Sequence, residues 1–107
     1  MAYYARIFHH IVVSDRTLDA LMALSAAVRR RRQVLGFTQE DVAFRAGLSV
    51  RHYQSLESGA VNPSYLVLRS VADALAIGIS PLIADLEAHE SLTDLKRRQR
   101  QHKRRKY

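Results

Sequence analysis

Apolar residues recur at helical spacing through most of this chain, and polar caps and glycines divide the recurrence into five segments. Leu18, Leu21, Met22, Ser25, Val28 and Leu35 lie close to one stripe. Ser14 or Thr17 can cap this first helix, and Gly36 ends it. Thr38 caps a short second helix, with Glu40 and Asp41 in its first turn and Val42, Ala43 and Ala46 inward. Gly47 supplies a left-handed turn. Ser49 caps a third helix that runs to Ser58, where Gly59 stops it. Asn62-Pro63 makes a turn. Ser64 then caps a fourth helix, with Tyr65, Leu68, Val71, Ala72 and Leu75 inward and Gly78 at its end. Ser80-Pro81 opens a fifth helix at a position where the missing proline N–H is harmless. Its apolar side holds Leu82, Ile83 and Leu86.

The two ends read differently. Tyr4, Ile7, Phe8 and Ile11 fit a helix, whereas Ile7, Ile11 and Val13 also fit an alternating strand. A lone strand needs a partner, such as a second copy of the chain; a loosely packed arm is the alternative. From Leu92 onward the pattern fades, and Lys96 to Tyr107 reads as a solvated basic tail. The expectation is an all-α protein. An arm covers residues 1–16, a compact four- to five-helix bundle 17–90, and a basic, disordered tail 91–107.

Charge changes the picture because it is unevenly placed. The 107 residues carry a formal charge of +7, and 48% of them are apolar, enough for a core. Residues 1–35 have net +4, residues 36–95 net −5 and residues 96–107 net +8. The excess of base therefore sits in the run Arg29 to Arg32 and in the tail, outside the second and third helices. Four consecutive arginines cannot share one helical face, so at least one should lie near the core edge.

The absence of cysteine excludes disulfides, thiolate catalysis and Cys-based zinc sites. No apolar run approaches the ~18 residues needed to span a bilayer, and no signal-peptide layout opens the chain. The reading is a soluble, intracellular protein without membrane contact. His9, His10, His52, His89 and His102 include no pair at the i, i+4 spacing of a helical metal site. Glu40-Asp41 is better explained as a partner of the helix dipole than as an acid–base pair. No nucleophile–base arrangement is present. Neither an enzyme nor a cofactor or metal is expected.

The third helix separates into two faces. At about 100° per residue, Val50, Gln54, Ser58, Arg51 and Ser55 fall within about 140° of one another, with Tyr53 and Leu56 on the other side. The polar face holds no acid, as a phosphate-facing surface requires. Glu57 falls at the boundary.

Five pieces in order carry a family resemblance: Gly36-Phe37-Thr38-Gln39, Ala46-Gly47-Leu48-Ser49, Leu56-Glu57-Ser58-Gly59, Asn62-Pro63-Ser64 and Val71-Ala72-Asp73-Ala74-Leu75. Residues 24–77 resemble the Cro/cI-type, or XRE-like, helix-turn-helix family. The resemblance implies a lambda-repressor-like bundle that binds double-stranded DNA sequence-specifically, commonly as a dimer. It implies that Gln39 binds a phosphate and braces the recognition helix. It places Val50, Arg51 and Ser55 toward base edges, Ser58 near the DNA backbone, and Arg32 in a structural pair with Glu57.

Arginine can donate two parallel hydrogen bonds to guanine O6 and N7, glutamine can pair with adenine, and an apolar side chain can meet a thymine methyl. These chemistries assign Arg51 to guanine, Gln54 to adenine and Val50 to thymine, with His52 flanking the face near phosphate. Arg29, Arg30 and Arg31 either touch the DNA backbone or are simply solvated. Lys96, Arg97 and Arg98 begin a tail that either follows the backbone or only solubilises the end. Leu66 and Val67, apolar beyond the inward stripe, mark either a subunit interface or a wider core.

The expected function is a transcriptional regulator, a repressor or autoregulator, acting as a homodimer on a near-palindromic operator in the cytoplasm at the nucleoid. Two alternatives stay open: an antitoxin- or coactivator-like module that holds a protein partner, and a general nucleic-acid binder driven by the tail.

Overall fold

The computed structural model describes residues 15–106. Most of the expected N-terminal arm, including Ser14 and the strand-or-helix segment 1–13, lies outside the described residues. Five helices follow in order: α1 (Asp15–Val34), α2 (Gln39–Ala46), α3 (Val50–Glu57), α4 (Tyr65–Ala74) and α5 (Ile79–Lys106). The described residues include no strand, so the fold is all-α, as the periodicity required. No single helix among them is long and apolar enough to cross a membrane.

The core forms where α1 meets its neighbours. Leu24 and Val28 of α1 pack with Val42, Ala43, Tyr53, Leu56, Val71 and Leu75. A second cluster joins Ala27, Ala72 and Leu82. Alanine at two of its three positions lets α1 and α4 come close to α5. Each fully buried leucine or valine contributes about 1.5–3 kcal/mol relative to exposure. Because α1 is covered on both sides, its buried face is wider than the stripe expected from sequence. Leu24 and Ala27 are inside, whereas Met22 is exposed.

Three expected caps are in place: Thr38, Ser49 and Ser64 each accept a hydrogen bond from the backbone N–H three residues on. The Asp41 carboxylate completes a reciprocal box by accepting from the Thr38 N–H. Backbone and hydroxyl hydrogen bonds from Thr38 hold the Asp41 carboxyl below its usual range. Thr17 lies inside α1 and is not its cap.

Other expectations need correction. The fourth helix ends at Ala74 rather than running to Gly78. Ala76, at φ 53, takes the left-handed position. The early stop lets Leu75 be buried and Ile77 pack on both core clusters. Tyr65, expected inward, is exposed, and of the Leu66–Val67 pair only Val67 packs on the core.

The segment after Leu92, expected as a disordered tail, is the distal half of α5. Leucine, glutamate, lysine, arginine and glutamine all favour helix, and neither glycine nor proline follows Pro81. An Asp94–Arg98 pair at i, i+4 and an Arg97–Asp19 bridge to α1 support it. Arg30 pairs with Asp85 nearer the start of α5. The two bridges between α1 and α5 show that these helices run antiparallel.

Candidate nucleic-acid interface

The turn between α2 and α3 fixes the angle at which α3 is presented. Gly47 caps α2 at φ 70, in the left-handed region. Its N–H donates to the Phe44 carbonyl, and the Leu48 N–H donates to the Ala43 carbonyl. Ser49 then starts α3 at once. On the inner side of α3, Tyr53 and Leu56 are fully buried. After α3, Gly59 passes so close to α1 that a Cβ there would lie 3.0 Å from the Met22 sulfur, and its φ of 78 also favours glycine.

A charged anchor holds the far end of α3. Arg32 donates through Nε and Nη2 to the two carboxylate oxygens of Glu57, at 2.9 and 2.6 Å. Glu57 is 2% exposed, so the carboxylate is buried at the boundary the helical wheel gave, while Arg32 is half-buried. Ser25 donates its hydroxyl to the Glu57 carbonyl, and Arg29 donates to the same oxygen at 3.2 Å. Burial is the largest influence on Glu57 and opposes its ionisation. Arg32, with Tyr53 and Gln39 in support, outweighs burial and holds the carboxyl below its usual range. The hydrogen bond with Glu57 raises the Arg32 pKa in turn. Tyr53, enclosed beside the pair, is pushed up by burial first and then by Glu57.

The outer side of α3 is open. Arg51, His52 and Gln54 are exposed, and Val50 stands at the margin with 36% of its surface accessible. The Arg51 guanidinium has no partner among the described residues. Gln54 Nε2 donates to Gln39 Oε1 at 3.2 Å, so the first residue of α2 meets the outer face of α3. Ser55 is half-buried and turns its hydroxyl to the Arg51 carbonyl. Ser58 caps α3 and donates to the Ser55 carbonyl. The structure thus brings Gln39, Val50, Arg51, Gln54 and Ser55 onto one surface, with His52 and Ser58 at its edges. The only acid of α3, Glu57, is buried.

The remaining candidates lie elsewhere. Arg30 binds Asp85, and Arg31 donates to the carbonyls of Leu75 and Ala76 at the end of α4. With Arg29 on Glu57, the arginine run ties helices together, although Arg29 and Arg30 remain half-exposed. Lys96, Arg97 and Arg98 are on the distal half of α5. Sequence reasoning missed the role of Ser25, although a serine inside an apolar stripe is the signal of a buried hydrogen bond. It also passed over Phe44, 88% exposed on α2, and Arg45, whose guanidinium lies 4.4 Å above the Phe37 ring.

The helix-turn-helix family model matches residues 28–82, the stretch from the last turns of α1 into α5. An uncharacterised HTH-type transcriptional regulator of Sinorhizobium fredii, y4dJ, is 33% identical over 66 residues, covering 62% of this chain and 86% of that protein. The HTH-type transcriptional regulator DdrOP3 of Deinococcus deserti is 33% identical over 72 residues, 67% of this chain and 56% of its own. Among solved structures, the clp gene regulator ClgR of Corynebacterium glutamicum shares the fold with a TM-score of 0.71 at 24% identity, over 77% of this chain and 87% of that one. The restriction-modification controller protein C.Esp1396I shares it with a TM-score of 0.62 at 21% identity, over 65% and 90%. With its capped α2 and α3, its glycine turn and its exposed acid-free face, this chain belongs to the helix-turn-helix family of transcriptional regulators and is not an enzyme.

Proposed function

We propose that the protein is a repressor or autoregulator that binds a near-palindromic operator as a homodimer through the outer face of α3. The observation that carries this reading is the unpaired Arg51 guanidinium, set on an exposed helix face whose neighbouring acid, Glu57, is buried. Arg51 reads guanine, Gln54 reads adenine and Val50 meets a thymine methyl. Ser55, already bonded to its own helix, is the weaker reader. Gln39 at the start of α2 takes a phosphate, where free N–H groups and the helix dipole favour an anion. Ser58 and His52 approach the backbone on either side. Such a regulator works in the cytoplasm, at the nucleoid.

Exposed Tyr65 lines a groove between α4 and α5 together with Leu68, Ile79 and Ile83, and exposed Leu66 follows it on α4. A second copy seated over this stretch of α4 would bury both. A second reading, a module that holds a different protein, draws on exposed Phe44; tight co-purification of a partner through Phe44 would favour it.

Selection of bound duplexes from a random pool tests the main reading. A palindrome with guanine in each half-site is expected. Arg51→Ala should then weaken binding to the selected duplex by about 1–3 kcal/mol and relax the choice of that base, while the melting temperature stays unchanged. An unaltered base preference in Arg51→Ala would refute the assignment.

A further inference from the structure

The reading unit lacks positive charge: residues 36–95 have a net charge of −5. Neutralising phosphates supplies essentially all sequence-independent affinity for DNA, so the cations must come from elsewhere. The arginines of the α1 run do not fill the gap. Arg29 and Arg32 are held by Glu57, Arg30 by Asp85, and Arg31 by the carbonyls that end α4.

The distal half of α5 is different. Lys96, Arg100 and Lys103 follow one another at i, i+4 and i+7, which places them on one face. All three are exposed, and none has a partner among the described residues. Arg97 is anchored to Asp19 of α1, and this sets the rotation of the helix. The stripe then lies between about 60° and 120° round from Arg97, clear of α1. Its cations are about 6 and 4.5 Å apart along the axis. From 96 to 103 the stripe holds no acid and no apolar side chain, so it has nothing to fill a pocket on a protein partner.

We propose that the distal half of α5 is a phosphate-tracking helix, in which Lys96, Arg100 and Lys103 lie along the backbone of duplex DNA. This rests on the DNA-binding reading above, but it concerns a separate surface and contributes affinity without base preference.

The test measures binding of the full chain to two labelled duplexes, one selected from a random pool and one of arbitrary sequence, from about 50 to 200 mM salt. The variant combines Lys96→Gln, Arg100→Gln and Lys103→Gln. Glutamine keeps helix propensity, so circular dichroism should match the parent. The slope of log K against log salt should fall by about 2.7 on both duplexes, with the preference between them unchanged. If the triple variant loses helix, the single variants should each lower the slope by about 0.9. An unchanged slope on both duplexes overturns the proposal. So does a variant that loses binding to polyglutamate while its DNA slope stays the same. If the parent binds both duplexes equally, operator reading fails, whereas a fall in slope would still establish the phosphate-tracking helix.

Discussion

At residue scale, Glu57 has the most at stake. It is the only acid of α3, is nearly fully buried, and joins Arg32, Ser25 and Arg29 of α1 to the end of α3. A buried carboxylate with a two-pronged arginine gains orientation more surely than net stability, but removing one partner leaves the other charge enclosed. Glu57→Gln should therefore cost about 3 kcal/mol near neutral pH. Because the folded-state pKa of Glu57 is depressed, its contribution is fully present above the unfolded value of about 4.3. It is lost as pH falls through the lower folded value. Urea unfolding at neutral pH and near pH 3 should show the gap between parent and Glu57→Gln narrowing in acid. A gap that is the same at both would mean that the charge is not what stabilises the pair.

At the scale of elements, the turn after α4 holds a local conflict. Ala76 adopts a left-handed φ of 53, a conformation that costs a residue with a Cβ about 1–2 kcal/mol. Arg31 offsets this by donating to the Leu75 and Ala76 carbonyls. Ala76→Gly should raise stability by about 0.5–1 kcal/mol, after allowing for the greater unfolded-state entropy of glycine. Thermal unfolding reads the sign, and a lower melting temperature would show that the alanine is not strained. The helices with the strongest local signals were the most legible in sequence. Thr38, Ser49 and Ser64 announced their starts because a cap is a contact across three residues. The open face of α3 was legible for the same reason, since one helical period decides it. The partners of Arg29, Arg30 and Arg31 were not legible, because they lie 28 to 55 residues away and depend on how helices dock. The distal half of α5 was missed because it is polar all round, so no apolar stripe reports it.

At the scale of the molecule, the described residues extend over 51 × 30 × 21 Å, with α5 clamped antiparallel to α1 by Arg30–Asp85 and Arg97–Asp19. Two recognition helices on a palindrome must sit about 34–36 Å apart. In the proposed dimer the contact between copies has to set that spacing, and exposed Tyr65 and Leu66 of α4 are the candidate contact. Leu66 is 73% exposed, so changing it should not disturb the bundle. If the proposed dimer forms through this contact, Leu66→Lys places two like charges across it and should shift the protein from dimer to monomer in sedimentation equilibrium at unchanged melting temperature. On DNA, the variant should still prefer the same half-site but should no longer discriminate a correctly spaced palindrome from a single half-site. A Leu66→Lys protein that keeps the dimer mass would move the interface to another surface. One that loses half-site preference as well would show that α4 supports α3 through α2, on which α4 packs.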